Sequence, residues 1–340
     1  MVLRVQWLIC ILLLITSCAT TRSWRTKDPS KSSAGGVVSI ESRNGTTPLI
    51  LSKSAATTNM EFGPQPEGRV ELTSPLDQNQ AAIKRKVITL IFSPGLVRAV
   101  GQIALIRELE QQQVDIHIVS GSGIGALLAT LYAAGKTPDQ IEWFFYRLLG
   151  ELEGSSPFTA QWIKIVRRHL LREFAGKTIQ SLGKAVVIPL YDRKSQEVVY
   201  FQRGQIVTLL LRNFKLYGVE SGVRYSTAFQ WRVFNSDIYN KMGSELIVGV
   251  NAVGEEIKFL GKNEFLFGVM GNLSGKIKRE GTVLDLYIAL PVDSSFLDSG
   301  RRLPEIIRDC RLSSQKGVMQ LKQIVLTSKG RYNDTKERED

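Results

Sequence analysis

Histidine and cysteine are scarce: the 340 residues hold two of the first and three of the second. His117 and His169 fall in separate predicted elements with no cysteine clustered beside either. That argues against a zinc site, and neither a metal nor another cofactor is expected. Cys10 and Cys18 sit near the start, which leaves Cys310 alone in the rest of the chain, so no disulfide scaffold is expected. Acids are outnumbered, 32 against 44 bases, for a formal charge of +12. No internal repeat is visible. The apolar run ending at Ile15 is too short for a comfortable transmembrane helix.

That run follows the single charge of Arg4 and has the layout of a secretory signal over residues 1–17. It ends Ile15-Thr16-Ser17-Cys18, which resembles the bacterial lipoprotein processing box. The resemblance implies cleavage before Cys18 and a lipid anchor on it. Ala19, where an Asp is absent, resembles lipoproteins sent on to the outer membrane, so the expected location is the cell envelope, facing the periplasm. An uncleaved N-terminal anchor is the alternative. Residues 18–86 are rich in Ser, Thr, Lys, Gly, Pro and Asn and nearly free of aromatics. Such a segment cannot bury enough apolar surface to offset its ordering entropy and reads as a tether. As a flexible coil it would span about 45 Å.

Residues 87–328 alternate apolar strand-like and helix-like stretches, long enough for a single α/β core. VITLIF at Val87–Phe92 is a continuous apolar run suited to an inner parallel strand. Helix-like sequence follows the Ser93–Ala99 loop to about Gln113. Asp115 to Ser120 alternates and predicts a strand; Ile124 to Ala134, uncharged and rich in Ala and Leu, predicts a buried helix. Between them stands Gly121-Ser122-Gly123-Ile124-Gly125. A strand that enters a helix through such a turn is the setting of the nucleophile elbow, G-x-S-x-G. With Ser122 at the centre, bulky Ile124 would occupy a flank that needs a small residue. With Gly123 at the centre, the flanks are Gly121 and Gly125, and there is no nucleophile.

The run GSGIGALLATLYAAGKTPDQIEWFF resembles the patatin-like phospholipases, whose elbow reads G-[TS]-S-x-G-A. The likeness extends from about Val87 to about Val325. It implies an α/β, three-layer sandwich with a central, mainly parallel sheet covered by helices. It also implies an ester-hydrolysing Ser–Asp dyad with a glycine-rich oxyanion loop one strand upstream. In this sequence Ser93-Pro94-Gly95-Leu96-Val97-Arg98-Ala99 stands at that loop. Gly95 and Arg98 are kept, while Pro94, Leu96 and Ala99 replace glycines. Proline removes a backbone donor and leucine resists glycine's dihedrals, so part of the oxyanion hole is expected to be lost, at about 3 kcal/mol per donor.

The dyad's acid is missing too. Met242 to Asn251 resembles the family's L-G-A-D-x-[IV]-[IV]-x-V, and counting back from Gly243 by the family's spacing lands on Thr227. No acid lies between Ser221 and Ser236. Asp298-Ser299-Gly300 is a decoy that follows a later strand, Val283 to Leu290. Asn213 and Tyr217 stand where the family has Ser and Pro, and Asp192, in a turn, reads as structural.

Two readings therefore compete. One is a degenerate patatin-like scaffold that binds a lipid or a partner, with Gly95, Arg98, Gly121, Ser122, Gly123 and Gly125 framing a bare anion site for a phospholipid head group. The other is an acyl hydrolase with a displaced nucleophile such as Ser122. A nucleotide site on the same glycines is weakly supported, since the spacing is not G-x-G-x-x-G. Expected partners are the membrane, through Cys18, and a phospholipid head group or an envelope protein. Nucleic acid is not expected.

Thr137-Pro138-Asp139 predicts a helix start, with the helix running to about Leu149. Ala160 to Phe174 predicts a helix with Lys164, Arg167, Arg168 and Arg172 mostly on one face, which reads as a solvated face or as contact with anionic head groups. Ala185–Tyr191 and Glu197–Phe201 predict two strands, Gln205–Phe214 a helix, and Leu303–Arg311 and Gly317–Val325 the closing helices before a charged tail at 329–340.

Overall fold

The computed structural model describes residues 86–216, 222–254, 264–292 and 300–336. The expected signal segment, Cys18, all but the last residue of the tether, Tyr217 and Asp298 lie outside the described residues.

The central strand is β1 (Ile88–Phe92), buried along its whole length. It has parallel neighbours on both sides, β2 (Ile118–Gly121) and β6 (Leu246–Asn251). Both faces of such a strand are covered, which is why its sequence is an unbroken apolar run. The sheet continues from β2 to β3 (Ala185–Asp192) in parallel and then to β4 (Glu197–Phe201) in antiparallel. On the other side β6 pairs in parallel with β7 (Leu286–Ala289). Among the described residues the order is β4-β3-β2-β1-β6-β7, with a short strand β5 (Tyr225–Thr227) paired only to β3. The fold is thus α/β, a mostly parallel sheet flanked by helices.

Alternate strand residues feed two cores, as the strand period of two requires. Leu90, Phe92, Val248 and Val250 join the larger one, which packs under α1 (Gln102–Gln111), α2 (Ile124–Ala133), α3 (Pro138–Leu152), α4 (Ala160–Phe174), α5 (Ile206–Asn213), α8 (Leu303–Asp309) and α9 (Arg311–Lys336). Ile91, Val187 and Ile247 turn to the smaller core, against Tyr239 of α6 (Ser236–Lys241) and Met270, Leu273 and Ile277 of α7 (Glu264–Gly281). Burying a side chain such as Phe145 of α3 stabilises the fold by roughly 2–3 kcal/mol.

Several boundaries differ from the sequence reading. The strand expected from Asp115 starts only at Ile118. Gln113 takes a φ of +52° and Val114 N–H returns to Leu109 O, so the chain is still closing α1 at that point. A 3-10 turn, Leu96–Gly101, precedes α1. The helix opened by Thr137 runs on to Leu152 behind a complete capping box: Gln140 N–H donates to Thr137 Oγ1 and Thr137 N–H to Gln140 Oε1. Such caps are worth about 1 kcal/mol. The last helix, α9, is continuous from Arg311 to Lys336 instead of ending at Val325. Cys310 is buried at its start, and burial pushes its thiol pKa up to about 12, which leaves it an inert apolar filler.

Candidate functional site

In an open α/β sheet the natural ligand site lies outside the carboxyl ends of the strands, where strand order reverses. Strand order reverses between β1 and β6, and the glycine-rich turn stands one strand along, at the carboxyl end of β2. The chain leaves β2 at Gly121 and enters α2 at Ile124, with Gly123 between them at φ +57° and ψ −127°. This is the strained elbow predicted from the glycine spacing, and it centres on Gly123.

The glycines on either side answer to close packing. A Cβ on Gly121 would lie 2.5 Å from the backbone of Gly125, and one on Gly125 would lie 2.5 Å from Ser93 O and 2.6 Å from Phe92 O. At Gly123 a Cβ would meet only Pro94 Cβ at 3.5 Å and the Phe229 ring at 3.7 Å, ordinary contacts. Room for a side-chain root therefore exists at the elbow, with buried Pro94 and Phe229 beside it. Ser122 is buried, and its hydroxyl has no hydrogen-bond partner among the described residues.

The elbow's backbone is occupied as well. Gly123 N–H donates to the side-chain oxygen of Asn213, at the end of α5, and Asn213 Nδ2 donates to Pro189 O of β3 at 3.1 Å. Gly125 N–H closes onto Ser122 O and Ala126 N–H onto Gly123 O. Asn213, read from sequence only as a departure from the family's serine, is the residue that locks the elbow to the sheet.

The loop after β1 keeps an unusual backbone despite its lost glycines. Gly95 has φ +157°, and Leu96 takes a left-handed φ of +50°, contrary to the expectation that leucine would resist such a conformation. Strain of this kind costs about 1–2 kcal/mol and persists where surrounding packing holds it. Residues 93–101 are all buried. Ser93 is fixed by Gln102, whose side chain accepts from its N–H and donates to its carbonyl, both at 3.0 Å, and its hydroxyl accepts from Ala252 N–H. Arg98, expected among the ligand-binding groups, is buried, and its Nη1 donates to Val253 O at 2.5 Å. It braces the β1 loop against the loop after β6.

Thr227 ends β5. By register, Thr227 pairs with Leu190 of β3 while Tyr225 pairs with Asp192 farther out. β2 pairs with β3 only as far as Val187, so β5 takes the place beside β3 that β2 vacates on turning into the elbow. Thr227 is thus the β5 residue nearest the elbow, and the ring of Phe229, two residues on, lies 3.7 Å from where a Cβ on Gly123 would stand. The Thr227 hydroxyl is buried and has no hydrogen-bond partner among the described residues, and the same holds for Ser226. A threonine hydroxyl at this position cannot serve as a general base. Asp192 is engaged elsewhere: Arg224 makes three bonds to its two oxygens and Lys194 N–H adds a fourth. The Arg224 guanidinium, helped by that N–H and opposed by burial, holds this carboxyl below its ordinary range.

The segment covering the elbow, residues 228–235, is tied from many sides. Trp231 stacks on Tyr191 with ring centres 3.4 Å apart. Lys276 donates to Gln230 O, Glu280 accepts from both Val233 N–H and Phe234 N–H at 2.8 Å, and Asn235 Nδ2 donates to Tyr200 Oη. No local pattern in the sequence marks this cover, because its anchors lie in β3, β4 and α7. His117 and His169 sit away from it in sequence and role. His117 Nδ1 accepts from Ile88 N–H at the start of β1, and His169 is buried in α4 beside Glu151.

Among solved structures the chain is similar to the type III effector protein ExoU at 13% identity, covering 69% of this chain and 53% of that one, with a TM-score of 0.35. ExoU in complex with SpcU, from Pseudomonas aeruginosa, aligns at 11% identity over 69% of this chain and 52% of that one, with a TM-score of 0.35. VipD from Legionella pneumophila aligns at 11% identity, with 70% and 66% covered and a TM-score of 0.39. The chain therefore spans between half and two thirds of the length of these proteins. Residues 90–217, from β1 through the elbow to just past Asn213 and stopping short of Thr227, match the patatin-like phospholipase family model.

Proposed function

We propose that this chain is a patatin-like scaffold that has lost ester hydrolysis and serves as a lipid- or partner-binding protein at the cell envelope. The observation that carries the reading is Gly123 at the elbow, with no side chain to attack a carbonyl and with Pro94 and Phe229 within ordinary contact of where its Cβ would stand. Acyl transfer needs a nucleophile with a base in hydrogen-bond reach. The position spaced for the acid is Thr227, and the one for the nucleophile is glycine. A bare anion site at the elbow would need Asn213 to release the Gly123 N–H and Arg98 to release Val253 O, so the elbow is better suited to holding the fold than to holding a head group.

The competing reading, an acyl hydrolase using Ser122, has one observation in its favour: the Ser122 hydroxyl is buried beside the elbow with no partner among the described residues. A fluorophosphonate probe, which labels only activated serines, separates the two. The expected result is no labelling of the native chain. Labelling that vanishes in Ser122→Ala would establish the hydrolase.

Attachment to the membrane is the second part of the proposal. Cys18, in its lipoprotein-like box, is the expected lipid acceptor, which would place the folded domain on the periplasmic side of the outer membrane. Cys18→Ser should then leave the precursor unprocessed. Intact mass showing an unmodified Cys18 in protein from the native host would overturn this part alone.

A further inference from the structure

Away from the elbow, α3 and α4 present a surface that combines exposed aromatic rings with bases. Trp143 and Tyr146 of α3 are 58% and 45% exposed, and their rings stack with centres 5.5 Å apart. Arg147 lies over the Trp143 ring at 5.9 Å. On α4, Lys164, Arg167, Arg168 and Arg172 surround Leu171, itself 43% exposed, and line an open depression of about 500 Å³. The two helices join at Glu151, whose carboxylate meets Arg168 and lies 3.9 Å from Arg172. Among the described residues neither Lys164 nor Arg167 has an ion-pair partner.

We propose that this face docks on an anionic lipid surface. A solvated helix face accounts for the bases but not for a stacked Trp–Tyr pair left in water beside them. Rings with an apolar body and a polar edge settle at the head-group level of a bilayer, while Lys and Arg pair with lipid phosphates. Leu171, in the middle of the basic cluster, gives an apolar point to enter between head groups. The face commits to a bilayer over a nucleic acid because exposed Leu171, in the middle of the bases, is an aliphatic group that a phosphate backbone does not use and a bilayer does. The inference does not rest on the loss of hydrolysis, since none of these residues belongs to the elbow.

The test is co-sedimentation of the full chain with vesicles of phosphatidylcholine alone or mixed with phosphatidylglycerol, at low and at physiological salt. The native chain should partition more strongly onto the mixed vesicles, and the excess should shrink as salt rises. Lys164→Glu/Arg167→Glu should lower that excess by about tenfold or more. The control Arg311→Glu/Lys316→Glu, which reverses two exposed bases on α9, should leave it within about twofold. Any affinity of the N-terminal segment is common to all variants and cancels. A second variant, Trp143→Ala/Leu171→Ala, keeps the charge and should weaken binding with the salt dependence unchanged. Equal loss in the α4 pair and the α9 control would reduce the effect to bulk charge and overturn the proposal. So would tighter binding to random-sequence DNA than to mixed vesicles, lost in Lys164→Glu/Arg167→Glu.

Discussion

The backbone N–H of Gly123 is held by the side-chain oxygen of Asn213, ninety positions along the chain, and the same amide donates to Pro189 O. One buried side chain thereby joins the elbow, the end of α5 and the middle of β3. In an elbow with no nucleophile, this contact holds the strained turn in place.

Asn213→Ala would leave one buried donor and one buried acceptor without partners. The expected cost is about 2–4 kcal/mol, read as a lower urea midpoint with an unchanged slope. A loss below about 0.5 kcal/mol would mean that the turn is held by packing alone.

The three glycines of the elbow should separate cleanly. Gly121→Ala and Gly125→Ala place a Cβ 2.5 Å from backbone atoms that cannot move aside, so each should cost about 3 kcal/mol or more, or prevent folding. Gly123→Ala has space for its Cβ and suffers only its positive φ, about 1–2 kcal/mol. Thermal melts of the three variants decide it, and a Gly123→Ala variant as damaged as the others would contradict this geometry.

That contrast marks what was legible in the sequence. The elbow was readable because tight backbone crossings admit only glycine, and Gly121 and Gly125 record both crossings. The inner strands were readable because burial on two faces leaves a plain apolar run at Ile88–Phe92. The cover was not readable. Phe229 and Trp231 show no helical or strand period, and the anchors of their segment, Tyr191, Lys276 and Glu280, are distant in sequence. Leu96 misled for a related reason: its left-handed backbone is imposed by a buried loop against its own preference. Asn213 showed as a departure from the family's pattern, but its bond to Gly123 exists only once α5 has packed beside the elbow.

Asp192 gives the fold a defined response to acid. Its carboxyl is held below the ordinary range by Arg224 and by Lys194 N–H, against burial. A depressed folded-state pKa contributes stability that is present above the unfolded value of about 3.9 and is lost as pH falls through the lower folded-state value. Arg224→Ala should raise that folded-state pKa and move acid unfolding to higher pH. At neutral pH it should cost only about 1 kcal/mol, because Arg224 is 59% exposed and screened by solvent. Urea midpoints followed from neutral to acid pH would show it, and identical acid profiles for the native chain and the variant would refute it.

The most direct measurement is fatty-acid release from short-chain esters and from phospholipids by the native chain, Ser122→Ala and Gly123→Ser side by side. A glycine elbow beside Pro94 and Phe229, with Thr227 in place of a base, predicts no release above background by any of the three. Restoring a hydroxyl at the centre does not supply the base. Release by the native chain that disappears in Ser122→Ala would contradict the account and place the nucleophile one residue before the elbow's centre.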